Sequence, residues 1–146
     1  MPQKDPGKRQ ANTTAGDLVM QISHIALYTD DLEGLRAFYE KYFYAIPNQK
    51  YKNETSGLQS YFLHFNDGAR LELITKPRLA LRAYGSNRIG FAHLAFGAGS
   101  RKMVDSITAM LVKDGYPILC PPRVTGDGYY ESRVSDPDGN EIEITE

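Results

Sequence analysis

Asp67-Gly68-Ala69-Arg70-Leu71-Glu72-Leu73 returns 71 residues later as Asp138-Gly139-Asn140-Glu141-Ile142-Glu143-Ile144. In each copy Asp-Gly signals a tight turn, because glycine accepts positive φ and the aspartate side chain bonds nearby backbone. Two spacers then lead into a short alternating run. A strand there places Glu72 and Glu143 on one sheet face and their apolar neighbours on the other. The repeat extends upstream, with His24 preceding Glu72 by 48 residues and His93 preceding Glu143 by 50. Both histidines lie in apolar, strand-like runs, Ile22-Ser23-His24-Ile25-Ala26-Leu27 and Phe91-Ala92-His93-Leu94-Ala95-Phe96.

The segments between these landmarks repeat too. Residues 21–28 are expected to form a strand. Asp30-Asp31-Leu32-Glu33 reads as a capping box with Asp30 at the N-cap, and Leu32, Leu35, Phe38, Tyr39 and Tyr42 recur at helical spacing as far as Phe43. Strands are predicted over 46–53, 59–65 and 69–75, the last two joined by a turn at Asn66-Asp67-Gly68. In the second half a strand over 89–96 precedes a helix capped by Ser100, striped by Met103, Ile107, Met110 and Leu111, and ended at Gly115. Strands follow over 116–120, 129–135 and 141–145, with Pro121-Pro122 ending the first and residues 123–128 forming a loop. The expected class is α+β, with one domain over 20–146 built from two strand-helix-strand-strand-strand modules. The modules cover about 20–76 and 89–146, and 77–88 connect them. Residues 1–19 are polar, without periodicity or the apolar core of a secretory signal, and are expected to be a flexible tail.

A chain of 146 residues holds one sizeable core, or two half-domains sharing one. Its net charge of −1 leaves no electrostatic footprint for nucleic acid. No apolar run is long enough to span a bilayer. The single cysteine, Cys120, excludes an intrachain disulfide framework and suits a reducing compartment, so a cytoplasmic protein is expected.

A lone histidine in an apolar strand is ordinarily a core residue, and a lone glutamate on an alternating strand ordinarily faces solvent. Recurrence of both, at offsets of 69 and 71, is what singles out His24, His93, Glu72 and Glu143. His64 has no partner at that offset and is read as structural. Two neutral imidazoles and two carboxylates neutralise a 2+ ion and suit Ni, Co, Zn, Mn or Fe. Such an ion is a Lewis acid able to stabilise an enediolate, and a ligating carboxylate that can leave it is a base for a proton beside a carbonyl. The sequence leaves open whether the four residues meet within one chain or across two. Parity and position nominate Arg70, Tyr61, Tyr129 and Arg123, with Tyr130, to line the site. Arg70 shares a face with Glu72, and the loop over 123–128 is placed to close over a ligand.

These paired modules, together with His24-Ile25-Ala26-Leu27, Phe38-Tyr39 in the first helix and Asp136-Pro137-Asp138-Gly139-Asn140-Glu141-Ile142-Glu143, resemble the glyoxalase/bleomycin-resistance/extradiol-dioxygenase superfamily, the vicinal oxygen chelate fold. The resemblance covers residues 21–145. It implies two βαβββ modules forming a cupped mixed sheet around a metal. The full set looks most like that of glyoxalase I, or lactoylglutathione lyase. That likeness implies one divalent ion (Ni, Zn or Co) on His24, Glu72, His93 and Glu143, with Glu143 the leading base and Glu72 the second. It also implies a small carbonyl or thiol-adduct substrate, and a homodimer with the site at or near the subunit interface. Three positions depart from the pattern. Tyr28 stands where glutathione-using relatives commonly carry Arg, Lys76 where they carry Asn, and Tyr44 where the first helix often ends in Gly. The other readings within the superfamily are a metal-dependent thiol transferase of the fosfomycin-resistance type, an epimerase and a metal-free bleomycin-type binding protein.

Overall fold

The computed structural model describes residues 20–66, 68–81 and 89–146. The expected tail at 1–19, Asp67 of the first turn, and residues 82–88 of the connector lie outside the described residues. The first half runs β1 (His24–Tyr28), α1 (Leu32–Phe43), β2 (Ile46–Pro47), β3 (Tyr51–Lys52), β4 (Gln59–His64) and β5 (Arg70–Thr75). The second runs β6 (Leu94–Gly97), α2 (Arg101–Lys113), β7 (Ile118–Val124), β8 (Tyr130–Ser135) and β9 (Glu141–Thr145). The fold is α+β, as expected. None of the described helices is long and apolar enough to cross a membrane.

Each half makes its own mixed sheet. The first has the order β1-β5-β4-β2, with β3 also on β4; the second has the order β6-β9-β8-β7. In both, the strand before the helix lies parallel to the last strand, β1 on β5 and β6 on β9, while the other pairs are antiparallel. The register is also matched, Ala26 opposite Glu72 and Ala95 opposite Glu143. Consequently β1 and β6 are the end strands of their sheets, each with one edge unpaired among the described residues.

Period-two alternation decides what each sheet face does. Leu71, Leu73 and Leu63 of the first sheet, and Val134, Ile142 and Ile144 of the second, are buried with Leu35, Phe38 and Tyr39 of α1 and Val104, Ile107 and Leu111 of α2. Removing that much apolar surface from water is the main stabilising term, about 2 kcal/mol for each fully buried Leu or Ile. The halves share this core through an aromatic seam, Phe43 stacking on Phe96 at 4.5 Å and Phe65 on Phe96 at 5.2 Å. Polar ties cross the same boundary. The Tyr39 hydroxyl donates to Asp136 at 2.9 Å, and Lys41 and Tyr42 both reach Asp114.

Several local expectations shift. The N-cap of α1 is Asp31, one residue later than expected; its carboxylate accepts from Gly34 N–H at 2.9 Å. Glu33 serves outward instead, where Lys50, Arg36 and the Tyr61 hydroxyl gather on it. The hydrogen bond from Lys50 holds its carboxyl below the usual range. The strand expected over 46–53 is interrupted between β2 and β3. Nor does Pro121-Pro122 end β7: the strand runs through the pair, with register shifts around Cys120. Proline removes a ladder donor, and β7 tolerates it as the end strand of its sheet. Tyr44 closes α1 in the left-handed conformation, φ 55°, which glycine adopts without strain.

Candidate metal centre

Opposite the helix-covered faces, the sheets are open. On the first, β1 offers His24 and β5 offers Glu72, their Nε2 and Oε2 atoms 3.6 Å apart. Parallel pairing of β1 with β5 makes this contact, since the two residues share a face two positions apart in register. His24 Nδ1 lies 3.3 Å from the Ser23 hydroxyl, and its ring meets the Phe62 ring edge-on at 5.4 Å. Phe62 is directly across from Glu72. Arg70 joins this face: its guanidinium lies 4.5 Å from the Phe62 ring centroid and donates to Ser23 at 3.2 Å.

The second open face repeats the pair. His93, just ahead of β6, comes within 3.2 Å of Glu143 on β9. In both pairs the histidine side chain is the more open partner, 39% and 37% exposed, and the carboxylate is half-buried. Imidazole nitrogen facing carboxylate oxygen on a solvent-reachable face fits half of a divalent transition-metal site. Two such halves supply the full donor set. Among the described residues no group of three or more His, Cys, Asp or Glu side chains is arranged to hold a metal ion, and the two pairs lie on separate sheets. The larger cavity, about 580 Å³, lies between the halves against Ile25, Phe65, Leu94 and Phe96 and is lined by none of the four candidates.

Beside His93 and Glu143 a cavity of about 360 Å³ is lined by Asp127, Tyr129, Glu131 and Thr145. Arg123 and Glu131 are opposite one another across β7 and β8, with a nitrogen–oxygen distance of 3.6 Å. Next along the face Arg133 binds Glu141 at 2.7 Å. Two candidates from the sequence lie elsewhere. Tyr61 pairs with Leu73, packs on the core side and donates to Glu33 of α1, so it is corrected away from the open face. Tyr130 likewise turns to α2, donating to Asp105 at 2.6 Å beneath the Arg101 guanidinium. Asp127, Glu131, Arg133, Glu141 and Thr145 were missed. Parity alone reaches four of these, because 131 and 133 on β8 share the open face with 141, 143 and 145 on β9.

Comparison with known proteins agrees with this architecture. The profile of the Glyoxalase/Bleomycin resistance protein/Dioxygenase superfamily matches residues 21–144. The uncharacterized protein YqjT of Bacillus subtilis (strain 168) is 32% identical over 127 residues, covering 84% of this chain and 96% of that protein. Among solved structures, a possible glyoxalase from Bacillus cereus has a TM-score of 0.65 at 27% identity, covering 87% of this chain and 99% of that one. Lactoylglutathione lyase from Agrobacterium tumefaciens has a TM-score of 0.62 at 25% identity, covering 88% of this chain and 95% of that one. This chain belongs to the glyoxalase/bleomycin resistance protein/dioxygenase superfamily.

Proposed function

We propose that this protein is a metal-dependent lyase or isomerase of the glyoxalase I type, acting on a small carbonyl or thiol-adduct substrate, and that it works as a homodimer. One divalent ion (Ni, Zn or Co) is held at each site by His24 and Glu72 of one subunit and His93 and Glu143 of the partner subunit. The observation that carries this is the matched pair of His–Glu contacts, 3.6 and 3.2 Å, one on the open face of each sheet. A two-fold dimer brings unlike halves together twice and leaves no face unmatched. Ile22 and Phe91, each two residues before its histidine, are 69% and 91% exposed, as residues waiting to be covered by a second copy are.

When bound, the ion supplies Lewis acidity, which polarises a carbonyl oxygen and makes the adjacent C–H more acidic. The chain's own groups do the rest. Glu143 removes that proton and returns it to the neighbouring carbon, with Glu72 as the second carboxylate. Arg70, held by Ser23 and Phe62, binds a substrate anion on the first face. The Tyr129 phenol, on the wall of the second-face pocket, donates to a substrate oxygen. Arg123 holds Glu131 in place beside it.

Mixing two inactive chains tests the arrangement. One carries His24→Ala and Glu72→Ala, the other His93→Ala and Glu143→Ala. If sites form across subunits, random reassociation restores about a quarter of wild-type activity, because half of the dimers gain one intact site of two. No restoration after verified exchange places the site within one chain. Metal analysis of the purified protein after reloading, followed by methylglyoxal assays with several thiols, tests the reaction. A chain that takes up no metal removes the lyase reading in favour of a binding protein.

A further inference from the structure

Two donors on the second open face, Arg133 Nε and the Thr145 hydroxyl, are buried with no hydrogen-bond partner among the described residues. Both flank Glu143. Arg133 of β8 stands directly opposite it, and Thr145 follows it by two residues on the same face of β9. Directly opposed side chains of an antiparallel pair have Cβ atoms about 5 Å apart. A residue two along the strand is about 7 Å away. Both lie within reach of a glutamate carboxylate. The other acceptors nearby are engaged: Glu131 by Arg123, Glu141 by Arg133 Nη1, and Ser135 with the Asp136 carbonyl. Opposite Arg133 on β7 stands Cys120, whose sulfur is a weak acceptor. Native proteins leave few buried donors unpaired, and here two surround one carboxylate. Neither atom reaches solvent, so the group that answers them belongs to the protein.

We propose that Arg133 and Thr145 are positioning residues that receive the Glu143 carboxylate when it turns away from His93. The side chain then has two stations on one face. In the first its carboxylate faces the imidazole at 3.2 Å. In the second it accepts from Arg133 Nε–H and the Thr145 hydroxyl, both charge-assisted bonds. This rests on the lyase reading above, in which Glu143 serves as both ligand and base and must change place between the two tasks. The donors hold one carboxylate oxygen while the other takes the proton of the substrate C–H bond, whose electron pair stays on the substrate. The same oxygen returns that proton to the neighbouring carbon. The first face lacks this cradle: Phe62 stands opposite Glu72, and Ile74 follows it by two residues. The matched positions therefore distinguish a carboxylate that moves, Glu143, from one that stays, Glu72.

The first test uses the full chain without metal. His93→Ala removes the first station, so Glu143 is expected to settle on the second. The Arg133 Nε–H resonance should then move downfield and exchange with solvent about tenfold more slowly than in the wild type, as a donor newly bonded to a charged acceptor does. Adding Glu143→Leu to His93→Ala should abolish both changes. No change in His93→Ala, or the same change without the Glu143 carboxylate, overturns the proposal. The second test is kinetic, on zinc-loaded chains with methylglyoxal and the thiol that supports turnover. Thr145→Val is expected to lower kcat about tenfold with KM and zinc content within twofold, and Thr145→Ser to restore most of it. Arg133→Met should act like Thr145→Val. Glu141→Gln should cost far less, because it touches only the Nη1 contact. A loss in KM or zinc content in place of kcat, or an equal kcat loss in Glu141→Gln, overturns the proposal while leaving the lyase reading in place. A chain that takes up no zinc sinks the lyase reading, and the Arg133 resonance then decides the second station by itself.

Discussion

The two open faces carry the same His–Glu pair in very different surroundings. Around His24 and Glu72 stand an aromatic ring and cations: Phe62 against the histidine, Arg70 over Phe62, and Lys76 4.7 Å from the Tyr28 ring. Around His93 and Glu143 stands a ladder of opposite charges, Arg123–Glu131 and Arg133–Glu141, with Asp127 in the hairpin beside it. Strand pairing dictates the common part, since a parallel first-to-last pair forces one His and one Glu into contact. The flanking side chains are free of that constraint and have diverged. The contrast implies divided labour. Under the proposed function the first face offers a cation, Arg70, to the substrate, and the second sets Glu143 beside the carboxylates of Asp127 and Glu131.

The sharpest way to break this contrast is to neutralise each carboxylate in turn. Glu143→Gln is expected to lower kcat by about 10²- to 10⁴-fold, the usual worth of a general base, with the fold intact. Glu72→Gln is expected to act mainly through metal retention and to cost less in kcat once metal is in excess. Equal kcat losses at saturating metal erase the proposed division. Arg70→Ala comes next. Loss of one charged anchor on a partly exposed face raises KM about tenfold for an acid-bearing substrate, with kcat nearly unchanged. A fall in kcat at constant KM points instead to Arg70 acting through Glu72.

How much of this the sequence held can be judged residue by residue. The repeat gave the two-module topology and the shared face of each His–Glu pair, because an Asp-Gly turn and period-two alternation are local signals. It could not decide Tyr61, whose strand offers aromatic or polar groups on both faces; the choice depends on α1 bringing Glu33 over that strand. Pro121-Pro122 misled for a similar reason, as proline breaks a central strand but not an end strand, and strand order is a tertiary fact. Nor can spacing tell whether two matched faces meet within a chain or between chains, since both arrangements use the same registers.

The boundary between the halves offers a smaller comparison. Tyr39→Phe removes the hydrogen bond to buried Asp136 and is expected to cost about 1–2 kcal/mol, leaving Asp136 with its contacts to Asp138 N–H and Asn140. Chemical denaturation reads this as a lower midpoint at constant slope. An unchanged midpoint means the Tyr39–Asp136 tie does not hold the halves together.

Asp138, two residues along the same turn, is expected to act in the opposite sense. Burial lifts its carboxyl above the usual range, the Thr29 hydroxyl only partly opposing this, with Asp136, Asp30 and Asp31 adding repulsion. A carboxyl whose pKa is higher folded than unfolded favours folding at low pH, and that advantage is lost as pH rises through the folded value. At neutral pH the ionised group is therefore a net cost, heightened by an Oδ2 that is buried without a partner among the described residues. Asp138→Asn removes the charge and keeps the turn, since Asn-Gly serves a tight turn as well as Asp-Gly. The expected gain is about 0.5 kcal/mol at pH 7 after allowing for solvent screening of a part-exposed group, near 1–2 °C in Tm. It should shrink towards zero as the pH falls below the raised value, where the wild-type carboxyl is already protonated. Melting curves from pH 4 to 8 decide the matter, because a gain of the same size at every pH would trace to packing rather than charge.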